Sequence, residues 1–298
     1  MKLLVTGADG QVGRELLALA PARGHDAVGT DVASLDITDA AAVRAAIAAA
    51  RPDAVVNAAA YTAVDRAETD THGAHAVNAD GAGHLAEACA EAGIPLVHVS
   101  TDYVFDGTKG APYVPDDPVS PLGVYGQTKA DGEAAVREAL AAHVIIRTAW
   151  VFSHHGHNFV RTMLRLARER EAFGVVADQW GGPTSARAVA MACAVAAERL
   201  VAGTGTFGTF HHAGAPLATW FDLATEAVRL GAELDPRVRG TVQPITTAEY
   251  PTPAARPVRV ELDTSAFEAA FGVAAPDWRA DLVPVVAALA ESDAAGAA

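Results

Sequence analysis

The chain starts with an apolar run, Lys2-Leu-Leu-Val-Thr6, then a glycine-rich turn, Gly7-Ala-Asp-Gly10-Gln-Val-Gly13, then Arg14-Glu-Leu-Leu-Ala-Leu-Ala20. A short apolar run bounded by glycine reads as a buried parallel strand, and the segment after it as an amphipathic helix. Gly7, Gly10 and Gly13, at that strand-to-helix turn, let backbone approach a pyrophosphate, with the helix N-terminus facing the anion. An ordinary glycine-rich turn is the plainer alternative.

The pattern repeats. Ala27–Thr30, Ala54–Asn57, Pro95–Ser100 and Val144–Arg147 read as further strands. The segments 39–50, with Asp39 near its cap, and 78–92, stopping at Gly93, read as helices between them. Strand–helix alternation implies a doubly wound parallel α/β sheet, the Rossmann arrangement, with ligands beyond the carboxyl ends of the strands. The second half is less regular. Helices are expected over 159–170, 188–202 and 219–230, separated by Gly/Pro-rich loops. We therefore expect a dinucleotide-binding domain over 1–150 and a smaller substrate-binding region over 151–298 that partly returns to the main sheet. The Ala-rich end after Glu291 is expected to fray.

Several polar residues fall where chemistry is expected. Tyr125 and Lys129 are one helical turn apart and share a face. An ammonium beside a phenol favours the phenolate, so such a Tyr can give a proton to an alkoxide near neutral pH. Thr101 and Asp102 follow the fourth strand, where a hydroxyl can bond both a substrate carbonyl and the Tyr. Asp31 ends the second strand. An acid there accepts hydrogen bonds from ribose hydroxyls and repels a 2′-phosphate; with Asp9 nearby, this leans toward NADH over NADPH. Asp36 and Ile37 stand where they can flank an adenine. The small residues of Asn57-Ala-Ala-Ala60-Tyr61-Thr62 let a flat cofactor pass close to backbone.

The glycine turn, the Ser/Thr after the fourth strand and the Tyr-x-x-x-Lys pair resemble the extended short-chain dehydrogenase/reductase superfamily. Val55–Asp65, Val99–Gly107, Ser120–Lys129, Arg147–Phe152 and Tyr250–Pro257 look like the dTDP-4-dehydrorhamnose reductase family, and the likeness runs from Lys2 to about Leu289. The resemblance implies Tyr125 as proton donor, Lys129 on the nicotinamide ribose and tuning Tyr125, and Thr101 in the hydroxyl position. It implies Gly10, Gln11 and Val12 on the pyrophosphate, and Asp31, Asp36 and Ile37 on the adenosine side. It further implies Ala60, Tyr61 and Thr62 along the nicotinamide half, and Thr101, Asp102 and Trp150 on the sugar. Position 61 is Tyr where some members carry His. The implied reaction is NAD(P)H-dependent reduction of the C4 ketone of dTDP-4-dehydro-L-rhamnose. A related nucleotide-deoxysugar ketoreductase or epimerase, and a non-catalytic nucleotide-binding subunit, are the rival readings.

Arg256 sits in a stiff loop, Pro251–Pro257, and is a candidate for a bidentate contact with the substrate pyrophosphate; a salt bridge to a neighbouring acid is the alternative. Ser153-His-His-Gly-His157 offers three imidazoles with no acid or cysteine beside them in sequence, so it reads as a polar loop and no metal is expected. The net charge of −14 argues against nucleic acid and anionic membrane as partners. No leader or membrane-spanning run is visible, and Cys89 and Cys193 in Ala-rich stretches read as buried thiols of a cytoplasmic protein acting as monomer or homodimer.

Overall fold

The structure is a computed structural model and describes residues 1–295. The first half runs β1 (Lys2–Thr6), α1 (Gln11–Leu19), β2 (Asp26–Thr30), α2 (Ala40–Ala50), β3 (Ala54–Asn57), α3 (Val64–Ala67), α4 (Thr71–His75), α5 (Gly81–Ala92), β4 (Leu96–Thr101), α6 (Val124–Ala139) and β5 (His143–Thr148). Local chemistry sets the ends. Asp39 Oδ1 accepts from the Ala41 and Ala42 N–H groups at 2.9 and 3.0 Å, capping α2. Gly93, at φ +66°, closes α5 in the left-handed conformation that glycine adopts freely.

Five of these strands form a parallel sheet in the order β5-β4-β3-β1-β2, and Gly208–His211 adds a sixth parallel strand beside β5. The apolar runs are continuous because both faces are covered. Leu3, Val5, Val56, Val97, Val144 and Ile146 face a core shared with α1 and the helix Ala186–Val201. Leu4, Val55, Leu96 and Ile145, one residue out of step, face the core shared with α2, α5 and α6. Strand order reverses between β1 and β3, which opens a crevice at their carboxyl ends.

A third core unites the helices Phe159–Glu169, Trp220–Leu234 and Trp278–Ala295 with a parallel ladder of Ala172–Val176 and Thr241–Ile245. The second half thus does two things. It supplies this separate layer, and it supplies the sixth strand and the Ala186–Val201 helix to the main sheet.

Two expectations need correction. The helix expected from Asn78 begins earlier, at Thr71, where Asp70 Oδ1 accepts from the Gly73 N–H at 3.2 Å. It widens into a π-helical turn over Ala76–Asp80 before α5. The fraying expected after Glu291 is absent over 291–295, which continue the last helix; 296–298 lie outside the described residues.

Candidate active site

A cleft of 710 Å³ runs along the carboxyl ends of the parallel strands. Its floor is the turn after β1. Gly7 has φ +68°, and a Cβ on it would stand 2.6 Å from the Ala59 nitrogen. A Cβ on Gly13 would stand 2.2 Å from the Gly7 oxygen, so Gly13 lies under the turn and does not line the cleft. Gly10 caps α1 without a side-chain bond, leaving the helix N-terminus open to the cleft beside Gln11 and Val12. Gln11 Oε1 is buried with no partner in the protein. Such a cradle of bare backbone at a helix N-terminus fits a pyrophosphate.

Asp31, Asp36 and Ile37 line one end. Asp31 Oδ1 accepts from the Ala33 N–H at 3.1 Å. Asp9 and Asp31 act on each other: the Asp31 carboxyl raises Asp9 from the usual carboxylate range, while Asp9 and the Ala33 N–H lower Asp31. Arg14 donates from Nε to the Asp9 carbonyl at 2.9 Å, so one cation stands near this acidic pair. Asp36 is tied to its own turn, accepting from the Thr38 N–H and hydroxyl at 2.9 and 2.8 Å.

Ala60, Tyr61 and Thr62 line the middle. The π-helical turn aims Asn78 at them. Asn78 Oδ1 accepts from the Tyr61 N–H at 2.8 Å, and its Nδ2 donates to the Tyr61 carbonyl and the Thr128 hydroxyl, each at 3.1 Å. The turn packs directly on α6, where a Cβ on Gly132 would be 2.0 Å from the Asn78 oxygen. The Tyr61 phenol points elsewhere and donates to Asp70 Oδ2 at 3.0 Å.

Thr101, Asp102, Tyr125 and Lys129 converge at the other end. Thr101 Oγ1 donates to Asp102 Oδ1 at 3.1 Å. Asp102 is 3% exposed, and burial pushes its carboxyl up to about 7. Tyr125 faces the cleft, and its enclosed phenol is pushed up to about 12 by burial, with the neighbouring Thr101 hydroxyl acting the other way. Lys129 is 2% exposed; burial brings its ammonium down to about 8, opposed by Glu133. The expected ammonium–phenol contact is not made in this geometry. Lys129 Nζ instead donates to the Val99 carbonyl at 2.8 Å and lies 3.4 Å from His98 Nε2. Spacing put the two residues on one face, but the long lysine stem reaches past the phenol to a buried carbonyl.

The far wall comes from the second half. Trp150, at φ +47°, stacks on Trp220 with centroids 3.6 Å apart and planes 8° apart, and Phe159 tilts against Trp220 at 4.6 Å. A left-handed tryptophan is a strained backbone that surrounding structure must hold. Here a Cβ on Gly181 would be 2.5 Å from the Trp150 ring, so only glycine admits it. Sequence reasoning found Trp150 but missed Trp220, Phe159, Asn158 and Leu223, which also line the cleft. Three lie on helices that read as ordinary amphipathic core, and Asn158 caps one of them.

Arg256 is not in the lining. Its guanidinium forks onto Asp65, with bonds of 2.9 and 2.8 Å, and also donates to the Ala254 carbonyl at 2.8 Å. Its placement is that of the alternative reading, a salt bridge bracing the Pro-rich loop against α3. The His-rich loop gains the acid that its own sequence lacks. Glu15 Oε1, on a nearly buried side chain of α1, lies 3.6 Å from His154 Nδ1 and 3.7 Å from His155 Nε2. The loop is thereby held over α1, and His157 and Asn158 reach the cleft.

A parallel sheet with a glycine turn after β1, and Thr, Tyr and Lys gathered at the other end of one cleft, defines a nucleotide-dependent oxidoreductase of the extended short-chain dehydrogenase/reductase class. The family model described as the RmlD substrate binding domain matches residues 1–291. A dTDP-4-dehydrorhamnose reductase of Burkholderia thailandensis is 44% identical over 287 residues, covering 94% of this chain and 96% of the relative. The solved dTDP-4-dehydrorhamnose reductase of Clostridium acetobutylicum superposes with a TM-score of 0.90 at 36% identity, covering 97% of this chain and 99% of that one. That of Bacillus anthracis, in complex with NADP, gives 0.87 at 32% identity, covering 95% and 98%. The chain belongs to the dTDP-4-dehydrorhamnose reductase family.

Proposed function

We propose that this chain reduces the C4 ketone of dTDP-4-dehydro-β-L-rhamnose to dTDP-β-L-rhamnose, in dTDP-rhamnose biosynthesis. The observation that carries the reading is one continuous cleft with a pyrophosphate cradle at one end and Thr101, Asp102 and Tyr125 at the other. Gly7, Gly10, Gln11 and Val12 would hold the cofactor pyrophosphate, Asp31, Asp36 and Ile37 its adenosine half, and Ala60, Tyr61, Thr62 and Lys129 its nicotinamide half. NADH or NADPH, when bound, supplies the hydride to the sugar ketone.

The chain's own residues manage the proton. Tyr125 keeps its proton at neutral pH because burial raises its phenol, so it is a donor in waiting for the alkoxide. Thr101 can hydrogen-bond the same oxygen. Asp102, titrating near neutrality, can donate to or accept from a sugar hydroxyl. Lys129 makes no direct contact with Tyr125, so its ammonium would restore the spent phenol through a hydroxyl or water lying between them. The stacked Trp150 and Trp220 offer an apolar wall against the sugar ring and exclude water. General acid catalysis of this kind contributes about 10²–10⁴ in rate.

Among the described residues no helix is long and apolar enough to cross a membrane. Cys89 and Cys193 are buried free thiols, which supports a reducing compartment such as the cytoplasm. The test is incubation of the purified chain with dTDP-4-dehydrorhamnose and NADH or NADPH, following nicotinamide absorbance and the sugar product. Oxidation matched by dTDP-rhamnose supports the reading. Isomerised sugar with no net oxidation means an epimerase, and nucleotide binding without either means a non-catalytic subunit.

A further inference from the structure

His98 is a polar residue inside the apolar strand β4, 1% exposed, and the reduction described above gives it no task. Its ring nitrogens have different neighbours. Nδ1 lies 3.0 Å from the Asn57 amide nitrogen, and Nε2 lies 3.4 Å from Lys129 Nζ. The Asn57 amide is held one way round, because its Oδ1 accepts from the Ala59 N–H at 3.1 Å and from the Thr6 hydroxyl at 2.7 Å. An amide nitrogen only donates, so His98 Nδ1 accepts, and a neutral imidazole then carries its proton on Nε2. The ring is neutral: burial, with Lys129 and His143 beside it, holds it well below the usual histidine range. The Nε2–H therefore faces Lys129 Nζ. An ammonium has three donors and no acceptor, so it meets this N–H badly; a neutral amine has a lone pair and fits.

We propose that His98 is a positioning residue for Lys129, holding the neutral amine left when Lys129 hands its proton toward Tyr125. The Tyr125 O–H bond breaks as the proton goes to the alkoxide; one Lys129 N–H breaks as its proton passes to a hydroxyl or water between the two, which gives up its own proton to the phenolate; and His98 keeps its proton throughout. The amine stays docked between the Val99 carbonyl and His98 until solvent returns a proton. The role assigned to Lys129 rests on the proposed reduction; the hydrogen-bond logic of His98 does not.

Other groups around the pair are accounted for. On α6, Glu133 favours the ammonium, but its carboxylate is already engaged by Arg147 from β5 and Ser100 from β4, each at 2.7 Å. Tyr125 lies one turn earlier on α6, and Asp102 follows Thr101 at the end of β4. From β5, His143 faces His98, and its own Nδ1 is engaged by the Leu140 carbonyl. β3 contributes Asn57, which is uncharged.

The test uses the full chain without ligand, labelled with ¹⁵N-histidine and ¹³C-lysine. Two-bond ¹H–¹⁵N spectra report the His98 tautomer, and the Lys129 Cε shift reports its titration. We expect the Nε2–H tautomer at neutral pH. In His98→Leu the Lys129 midpoint should rise by about one unit, because the partner of the neutral form is gone. In His98→Gln, whose amide N–H sits near the Nε2 position, the midpoint should stay near that of the parent. The alkaline limb of kcat for the sugar, lost as Lys129 becomes neutral, should move up with the midpoint in His98→Leu. An Nδ1–H tautomer or an imidazolium in the parent, or an unmoved midpoint in His98→Leu, overturns the proposal. If His98→Leu does not fold, the parent tautomer and the Gln midpoint still decide. A parent that shows the expected tautomer but never oxidises NADH defeats the proposed reduction and leaves the contact standing.

Discussion

Asp102→Asn should stabilise the ligand-free protein, and the effect should depend on pH. The carboxyl is 3% exposed and accepts a 3.1 Å hydrogen bond from Thr101, yet burial still raises it from 3.8 to about 7. The shift is about three units at 1.36 kcal/mol each, so ionised Asp102 costs up to about 4 kcal/mol of stability well above neutrality. The sign follows from the raised folded value. Well below pH 4 the carboxyl is protonated in both states and costs nothing; between about 4 and 7 the unfolded chain has lost a proton that the folded protein still holds, so stability falls across that window and levels off above 7. Asparagine keeps the shape and never ionises. Urea unfolding of parent and variant at pH 8 should show the variant ahead by about 2–4 kcal/mol, the lower figure allowing for relaxation around the charge. At pH 5 the gap should shrink by more than half. A variant no more stable than the parent at pH 8, or an equal gap at both pH values, would refute the reasoning that Asp102 is a strained, desolvated acid.

Three further outcomes are expected. Tyr125→Phe should bind NADH and fold as the parent does while losing about 10²–10⁴ in turnover, the contribution of a general acid; turnover within about threefold of the parent would remove it from that role. NADH should serve at least as well as NADPH, since Asp31 and Asp9 meet the ribose end with negative charge; the ratio of the two kcat/KM values decides, and an NADPH preference above about tenfold, or about 1.4 kcal/mol, contradicts it. Arg256→Ala should lower stability by about 1 kcal/mol, because its bridge to Asp65 is partly exposed, and should leave KM for the sugar within about threefold; a KM rise of about tenfold with unchanged melting would restore it as a substrate anchor.

The parallel sheet was legible because its strands are buried on both faces. Leu3-Leu4-Val5 and Ala54-Val55-Val56 are continuous apolar runs, a pattern that a half-exposed strand does not produce. Ala172–Val176 and Thr241–Ile245 failed that test because they pair mostly with each other and stay partly exposed. Gly208–His211 is four residues following a glycine-rich loop, too short for a period to register. Within the site, residues near in sequence were readable: the glycine turn, Thr101-Asp102 and Tyr125-Lys129. What depends on distant partners was not. Asp65 and Arg256 meet across 191 residues, Trp150 finds Trp220 across the cleft, and the course of the Lys129 side chain is set by the Val99 carbonyl and His98. No spacing rule carries that information, because it belongs to packing.

The most direct measurement is isotopic. The purified chain is given dTDP-4-dehydrorhamnose and NADH carrying deuterium at both C4 positions of the nicotinamide, and the nucleotide sugar is read by NMR. The account predicts one deuterium per turnover at C4 of the sugar, in dTDP-rhamnose, at a rate equal to NADH loss. NADH loss without deuterium in the sugar, deuterium at any other carbon, or no reaction by a folded, NADH-binding chain would contradict it.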